Sequence, residues 1–141
     1  MTPRLTIVIV SYNARADLER CLRSILATPP NASYEIVVVD NQSSDGTPDA
    51  VRHDWPGVEL VEAGGNLGFA VANNIGLARA QSPFVLLLNP DVQLTAPLAP
   101  LMEAARRHGL AAGKLLDEAG QPQKGFTIRR LPSPATLACE L

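Results

Sequence analysis

Several features that would direct a reading of this chain are scarce or missing. Only two cysteines occur, Cys21 and Cys139, too few for a disulfide framework. Cys21 falls within a helical pattern and reads as a buried free thiol. Long apolar runs are lacking: the longest is the stretch Phe84 to Leu88, far short of the roughly 20 residues a membrane-spanning helix needs. Met1 to Arg4 and the apolar run Leu5 to Val10 have neither the length nor the small-residue cleavage site of a secretory leader. The expected location is therefore cytoplasmic, with no transmembrane segment. Charge of one sign is missing too. Twelve Lys and Arg stand against 14 Asp and Glu, a net charge of −2 with no basic stripe, which predicts no nucleic-acid partner yet leaves room for a nucleotide held by a few local groups. No Gly-x-Gly-x-x-Gly follows the first apolar run and no Gly-Lys-Ser or Gly-Lys-Thr occurs, so dinucleotide and P-loop binding are excluded by those routes. The only histidines, His53 and His108, stand alone, with no serine or carboxylate arranged around them as a triad.

What is present is a core and a rhythm. Hydrophobic residues make up 46% of the 141, too large a share for a disordered chain, and the length suits one domain. Leu5 to Val10 is β-branched and apolar without alternation, the mark of a strand covered on both faces. Leu18, Cys21, Leu22, Ile25 and Leu26 then recur at helical spacing, with Asn13 as a candidate cap and Thr28-Pro29-Pro30-Asn31 as the stop. The unit repeats: a strand Ile36 to Val39, a helix capped by Thr47 with Pro48 in its first turn, a strand Val58 to Val61, a helix from Phe69 to Ala80, a strand Phe84 to Leu88 and a helix from Ala96 to His108. This order predicts an α/β fold with a mostly parallel sheet flanked by helices. Beyond Gly109 the pattern weakens; Leu110 to Leu116 and Gln123 to Ile128 are expected as strands about a turn at Asp117 to Gly120.

In such sheets ligands sit beyond the carboxyl ends of the strands. Here those ends are polar: Ser11 to Asn13, Asp40 to Asp45, Glu62 to Asn66 and Asn89 to Asp91. Asp91 is suited either to a divalent cation that neutralises a diphosphate or to capping its own turn. Asp40 is suited either to an N–H of a base or to the N–H groups of its own loop. Asp45-Gly46 reads as a structural turn. Gly64-Gly65-Asn66-Leu67-Gly68 permits a turn and close backbone approach. Asn73, on one face with Phe69 and Gly76, is expected to brace a neighbouring loop. Tyr12 is divided between flanking a base and packing.

The segments Thr6 to Asn13, Glu35 to Thr47, Gly65 to Ala70, Asn73-Asn74-Ile75-Gly76 and Leu88-Asn89-Pro90-Asp91, in this order and spacing, resemble the amino-terminal part of a family 2 glycosyltransferase of the GT-A fold, rhamnosyltransferase-like branch. The likeness covers about residues 4 to 116. It implies a nucleotide-sugar-binding domain over 1–116 and the beginning of an acceptor-side region over 117–141. It implies that Ser11, Tyr12, Asn13 and Asp40 hold base and ribose and that the Asn66 loop lines or supports the donor pocket. Asp91 matches the last Asp of the family's Asp-x-Asp motif and would carry Mg²⁺ or Mn²⁺. Asn89 stands where that motif has its first Asp and would bond ribose or sugar instead. The implied partners are a dTDP- or UDP-linked sugar donor and a saccharide or lipid-linked acceptor. The resemblance further implies inverting transfer of a sugar such as rhamnose in polysaccharide biosynthesis, with the whole enzyme peripheral at the inner face of the membrane.

Inverting transfer needs a carboxylate base, and after Arg130 only Glu140 is acidic and lacks the family's surrounding pattern. The chain is therefore expected to hold the donor half, to bind donor weakly and to transfer nothing alone. Apolar Leu131, Leu137 and Leu141 are expected to promote a homodimer. Two other functions compete. A nucleotidyltransferase would want a Gly-rich basic loop after the first strand, where Ser11-Tyr12-Asn13-Ala14 stands. A non-catalytic nucleotide- or partner-binding module would be indifferent to Asp91.

Overall fold

The structure is a computed structural model, and it describes residues 4–123. Four strands, β1 (Leu5–Ser11), β2 (Tyr34–Asp40), β3 (Val58–Glu62) and β4 (Phe84–Leu88), alternate with four helices, α1 (Arg15–Ala27), α2 (Thr47–Asp54), α3 (Phe69–Arg79) and α4 (Ala99–His108). The expected α/β fold is observed. All strands pair in parallel in the order β3-β2-β1-β4. Every residue of β1 is buried, because a central strand with helices on both faces has no solvent side.

Its side chains divide between two cores. Leu5, Ile7 and Ile9 join Ile36 and Val38 of β2, Leu18, Cys21, Leu22 and Ile25 of α1, and Val51 of α2. Val10 joins Val37, Val39 and Ala72 on the α3 side. This is the period-2 alternation of a strand met by the i, i+3, i+4, i+7 stripe of α1. Leu26, assigned to that stripe from its spacing, is instead exposed. The α3 helix reaches the sheet through glycine: a Cβ on Gly76 would lie 2.3 Å from Val8 Cγ1 and 3.2 Å from Val39 Cγ2. The helix itself starts at Gly68, whose φ of 79° and ψ of 165° belong to a region essentially closed to side chains.

Local readings shift in three places. Asn13 does not cap α1. It takes a φ of 49°, a left-handed conformation that asparagine tolerates, and α1 begins two residues on without a side-chain cap. Thr47 does not cap α2 either; it is the first helical residue, after Gly46. The capping oxygen belongs to Asp45, whose Oδ1 accepts the Thr47 N–H at 3.1 Å and the Thr47 hydroxyl at 2.6 Å, while its Oδ2 accepts the Arg15 N–H at 2.9 Å. One carboxylate thus joins the starts of α1 and α2. Asn73 bonds its own helix, Nδ2 to the Phe69 carbonyl at 2.9 Å, rather than a loop.

The edge strand β4 is apolar throughout, yet Val85 and Leu87 are exposed, since α3 lies over β1 and β2. Leu110 to Leu116 is not a strand. Leu116 makes one antiparallel bridge to Pro122 around a turn in which Asp117 Oδ1 accepts the Ala119 and Gln121 N–H groups. The strand expected to reach Ile128 and the apolar residues Leu131, Leu137 and Leu141 lie outside the described residues. Among the described residues, no helix is long and apolar enough to cross a membrane.

Two outcomes follow from this packing. Gly76→Ala forces Val8, a fully buried side chain, out of its place; overpacking of this kind costs about 1–3 kcal/mol, read as a lowered urea midpoint. Burial works to raise the Asp45 pKa, but the Thr47 hydroxyl and the N–H groups of Arg15 and Thr47 outweigh it and hold the carboxyl below its ordinary value. A depressed carboxylate stabilises the fold above its unfolded pKa and loses that contribution as the pH falls through the folded one. Wild type should therefore exceed Asp45→Asn in urea midpoint at pH 7, with the gap closing below about pH 4.

Candidate functional site

Strand register decides which polar ends meet. Ser11 lies opposite Asp40, and Asp40 opposite Glu62. On the other side of β1, Ile9 pairs with Leu88, so Asn89, Pro90 and Asp91 leave β4 beside the last residues of β1. The carboxyl edge thus presents Asp40, Ser11 and the Asn89 to Asp91 turn in that order, with the two acids on either side of β1.

Burial at this edge is high where hydrogen bonding is incomplete. Ser11 is 0% exposed and Asp40 2%. Asp40 Oδ2 accepts the Ser43 N–H at 2.9 Å, but among the described residues Asp40 Oδ1 and Ser11 Oγ have no partner. A buried polar atom left unpaired costs roughly 1–3 kcal/mol, and such atoms in a folded protein ordinarily find a partner. The loop reading of Asp40 is observed at Oδ2, while Oδ1 keeps unused acceptor capacity. Tyr12, next in the chain, is half exposed on the rim.

Asn13 and Asn66 stand at the same edge, but their side chains serve the loops. Asn13 Oδ1 accepts the Ser44 N–H at 2.7 Å, and the Asn13 N–H donates to Ser43 Oγ at 2.9 Å. Asn66 Oδ1 accepts from Asn41 Nδ2 at 2.9 Å and from the Gly68 N–H at 3.2 Å. The centre of this second set is Asn41, whose Oδ1 also accepts the Leu67 N–H at 2.9 Å. Sequence reasoning assigned Asn41 no role. It is 4% exposed, and a fully buried amide directly after a strand needs several partners. The Asn-Gln pair after Asp40 was the available signal, because Gln42 Oε1 also accepts from the same loop, at the Asn66 N–H.

Asn89 and Asp91 are both exposed. The Asn89 carbonyl accepts the Val92 N–H at 3.2 Å, closing a turn around Asp91. Among the described residues the Asp91 carboxylate has neither hydrogen bond nor ion pair, so it does not cap that turn. Cys21 lies beneath, a free buried thiol as expected, with Sγ 3.8 Å from the Asn89 carbonyl. Burial, with the Asp91 carboxylate adding to it, pushes this thiol up to about 12, so it stays protonated at neutral pH. Among the described residues no three His, Cys, Asp or Glu side chains gather as a metal cage. A cation at Asp91 would have to draw its remaining ligands from a substrate and water. An oxygen-only set of one carboxylate, phosphates and waters fits Mg²⁺ or Mn²⁺, and the protonated thiol offers no competing soft ligand.

Comparison with known proteins agrees with this architecture. The model of the family described as glycosyl transferase family 2 matches residues 6–128. The N-acetylglucosaminyl-diphospho-decaprenol L-rhamnosyltransferase of Mycobacterium tuberculosis is 38% identical over 120 residues, covering 76% of this chain and 38% of that protein. Among solved structures, the mannosyltransferase PcManGT of Pyrobaculum calidifontis, in complex with GDP-Man and Mn²⁺, is 32% identical with a TM-score of 0.60, over 70% of this chain and 30% of its own. S. aureus TarS in complex with UDP is 23% identical with a TM-score of 0.65, over 91% of this chain and 40% of its own, a likeness of fold alone. The chain spans less than half the length of each of these three proteins. With a parallel sheet that carries its polar edge at the strand ends and a family match over most of its residues, the chain belongs to glycosyl transferase family 2, has the GT-A fold and resembles a rhamnosyltransferase-type enzyme.

Proposed function

We propose that this domain binds a nucleoside-diphosphate sugar at the carboxyl edge of its sheet, as the sugar donor for glycosyl transfer by the whole protein. The observation that carries the reading is a pair of buried oxygens, Asp40 Oδ1 and Ser11 Oγ, that have no partner among the described residues, on the same edge as the exposed Asp91 carboxylate, which has none among them either. Asp40 accepts an N–H of the base or a ribose hydroxyl, Ser11 bonds beside it, and Tyr12 flanks the base on the rim. Asn13 and Asn66 act indirectly, by holding the two loops that border the base. Asn89 bonds ribose or sugar.

The diphosphate is the demanding part of such a ligand. It carries concentrated negative charge, and a bare carboxylate beside it would repel it. Asp91 resolves this by holding Mg²⁺ or Mn²⁺, which when bound neutralises the diphosphate and favours its departure as a leaving group. With asparagine at position 89 the site offers one negative charge rather than two, so cation and nucleotide should bind together. The Mn²⁺ in the complex of the mannosyltransferase relative supports this. The rhamnosyltransferase relative supports rhamnose as the transferred sugar, and dTDP or UDP is the carrier assigned to it in this proposal. Its name, which carries a diphospho-decaprenol-linked sugar, supports a saccharide or lipid-linked acceptor; a place for the whole protein at the inner face of the membrane belongs to the same proposal. Transfer with inversion requires a base for the acceptor hydroxyl and is assigned to the whole protein; for this chain the assigned step is binding of the sugar donor.

Calorimetric titration with UDP, dTDP and GDP, each with and without Mn²⁺, tests base choice and cation use together. Wild type should bind one nucleotide more tightly with Mn²⁺. Asp91→Asn should lose that gain and keep the Mn²⁺-free affinity, whereas Asp40→Ala should weaken binding under both conditions. Unchanged Mn²⁺ dependence in Asp91→Asn would favour a binding module without transferase chemistry.

A further inference from the structure

The segment between β4 and α4 carries Asp91 and has no regular structure around it, yet the position of that carboxylate must be well defined if it is to meet a cation and a diphosphate together. Two side chains of α1 hold the segment at both ends. Cys21 and Ser24 are three residues apart and so share a helix face. The Cys21 thiol points at the Asn89 carbonyl, with Sγ 3.8 Å away. The Ser24 hydroxyl donates to the Cys21 carbonyl at 2.7 Å and accepts the Leu94 N–H at 2.9 Å. Between these two points the chain makes the turn closed by Val92 N–H and the Asn89 carbonyl, with Asp91 inside it. A hydroxyl is both donor and acceptor; because its hydrogen is directed to the helix carbonyl, its lone pair faces the Leu94 N–H. Alanine offers neither, and threonine offers both.

We infer that Ser24, with Cys21, is a positioning residue that sets the Asp91 carboxylate for a diphosphate-bound cation, an inference that rests on the function proposed above. Neither side chain touches the nucleotide in this scheme. Groups that orient a metal-binding side chain typically change metal affinity by about 10–100-fold when removed.

The test uses the 141-residue chain as wild type, Ser24→Ala and Ser24→Thr, with two readouts. Amide hydrogen exchange reports the Leu94 N–H directly. Titration of UDP, dTDP and GDP with and without Mn²⁺ reports the gain in affinity that the cation brings. In Ser24→Ala, Leu94 should exchange faster and the Mn²⁺ gain should shrink by about tenfold, with Mn²⁺-free affinity within about twofold of wild type. Ser24→Thr should restore both. Faster exchange with an undiminished Mn²⁺ gain overturns the inference, as do equal losses with and without Mn²⁺ or failure of threonine to restore them. If wild type itself shows no Mn²⁺ gain, the cation role proposed for Asp91 falls and takes this inference with it. A wild-type gain that is lost in Asp91→Asn but kept in Ser24→Ala removes this inference alone.

Discussion

Parallel pairing of β1 on both its edges is the constraint on which the remaining structure depends. All seven residues of β1 are buried, the branched side chains of Leu5, Ile7 and Ile9 fill the α1 and α2 side and those of Val8 and Val10 the α3 side, and both backbone edges are occupied by β2 and β4. A parallel sheet cannot be closed by short hairpins, so each pairing requires a helical crossover, and those crossovers bring every strand end to the same side. The polar residues that follow β1, β2 and β4 converge for this reason and not through any attraction among themselves. The contact at Gly76, where α3 approaches Val8 more closely than any side chain allows, belongs to the same constraint: it holds the helix that follows the Asn66 loop against the central strand.

At the edge so formed, hydrogen-bond satisfaction separates scaffold from site. The loops after β1 and β2 are joined by Asn13 with Ser43 and Ser44, and by Asp45 with Arg15 and Thr47. The loop after β3 is joined to β2 by Asn41 and Gln42. These asparagines sit among residues that the family resemblance associates with nucleotide binding, and their oxygens are already engaged. Among the described residues, what is left over includes one carboxylate oxygen of Asp40, the hydroxyl of Ser11, and the exposed side chains of Asn89 and Asp91. Amides and the Asp45 carboxylate brace the loops, while Asp40 Oδ1 and Asp91 keep unused acceptor capacity. That division suits a site in which charge and hydrogen-bond acceptors must be preorganised before a highly charged ligand arrives.

Several elements were legible in the sequence because their signals are local. The runs Leu5 to Val10, Ile36 to Val39 and Phe84 to Leu88 are strands within a residue or two of their expected limits. The stripe Leu18, Cys21, Leu22 and Ile25 is a buried helix face. Caps were less legible. Asn13, Asp45 and Thr47 are all good capping residues; Asn13 turns instead to Ser44, 31 positions away, and Asp45 serves both its neighbour Thr47 and the distant Arg15. The open face of β4 could not be read either, because Val85 and Leu87 are the same residue types that a doubly covered strand uses.

By itself the sequence determined the alternation of strands and helices, the helix faces, and the concentration of Asn, Asp and Ser at strand ends, since apolar periodicity and turn chemistry act over a few residues. Only the tertiary structure decided the order β3-β2-β1-β4, the level register of Ser11 with Asp40, the engagement of Asn41 with Asn66, and the seating of the Asp91 turn on Cys21 and Ser24. Strand pairing joins residues 22 to 79 positions apart, satisfaction of buried polar atoms joins others 25 and 70 apart, and no local pattern encodes which of many equivalent acceptors will be left without a partner.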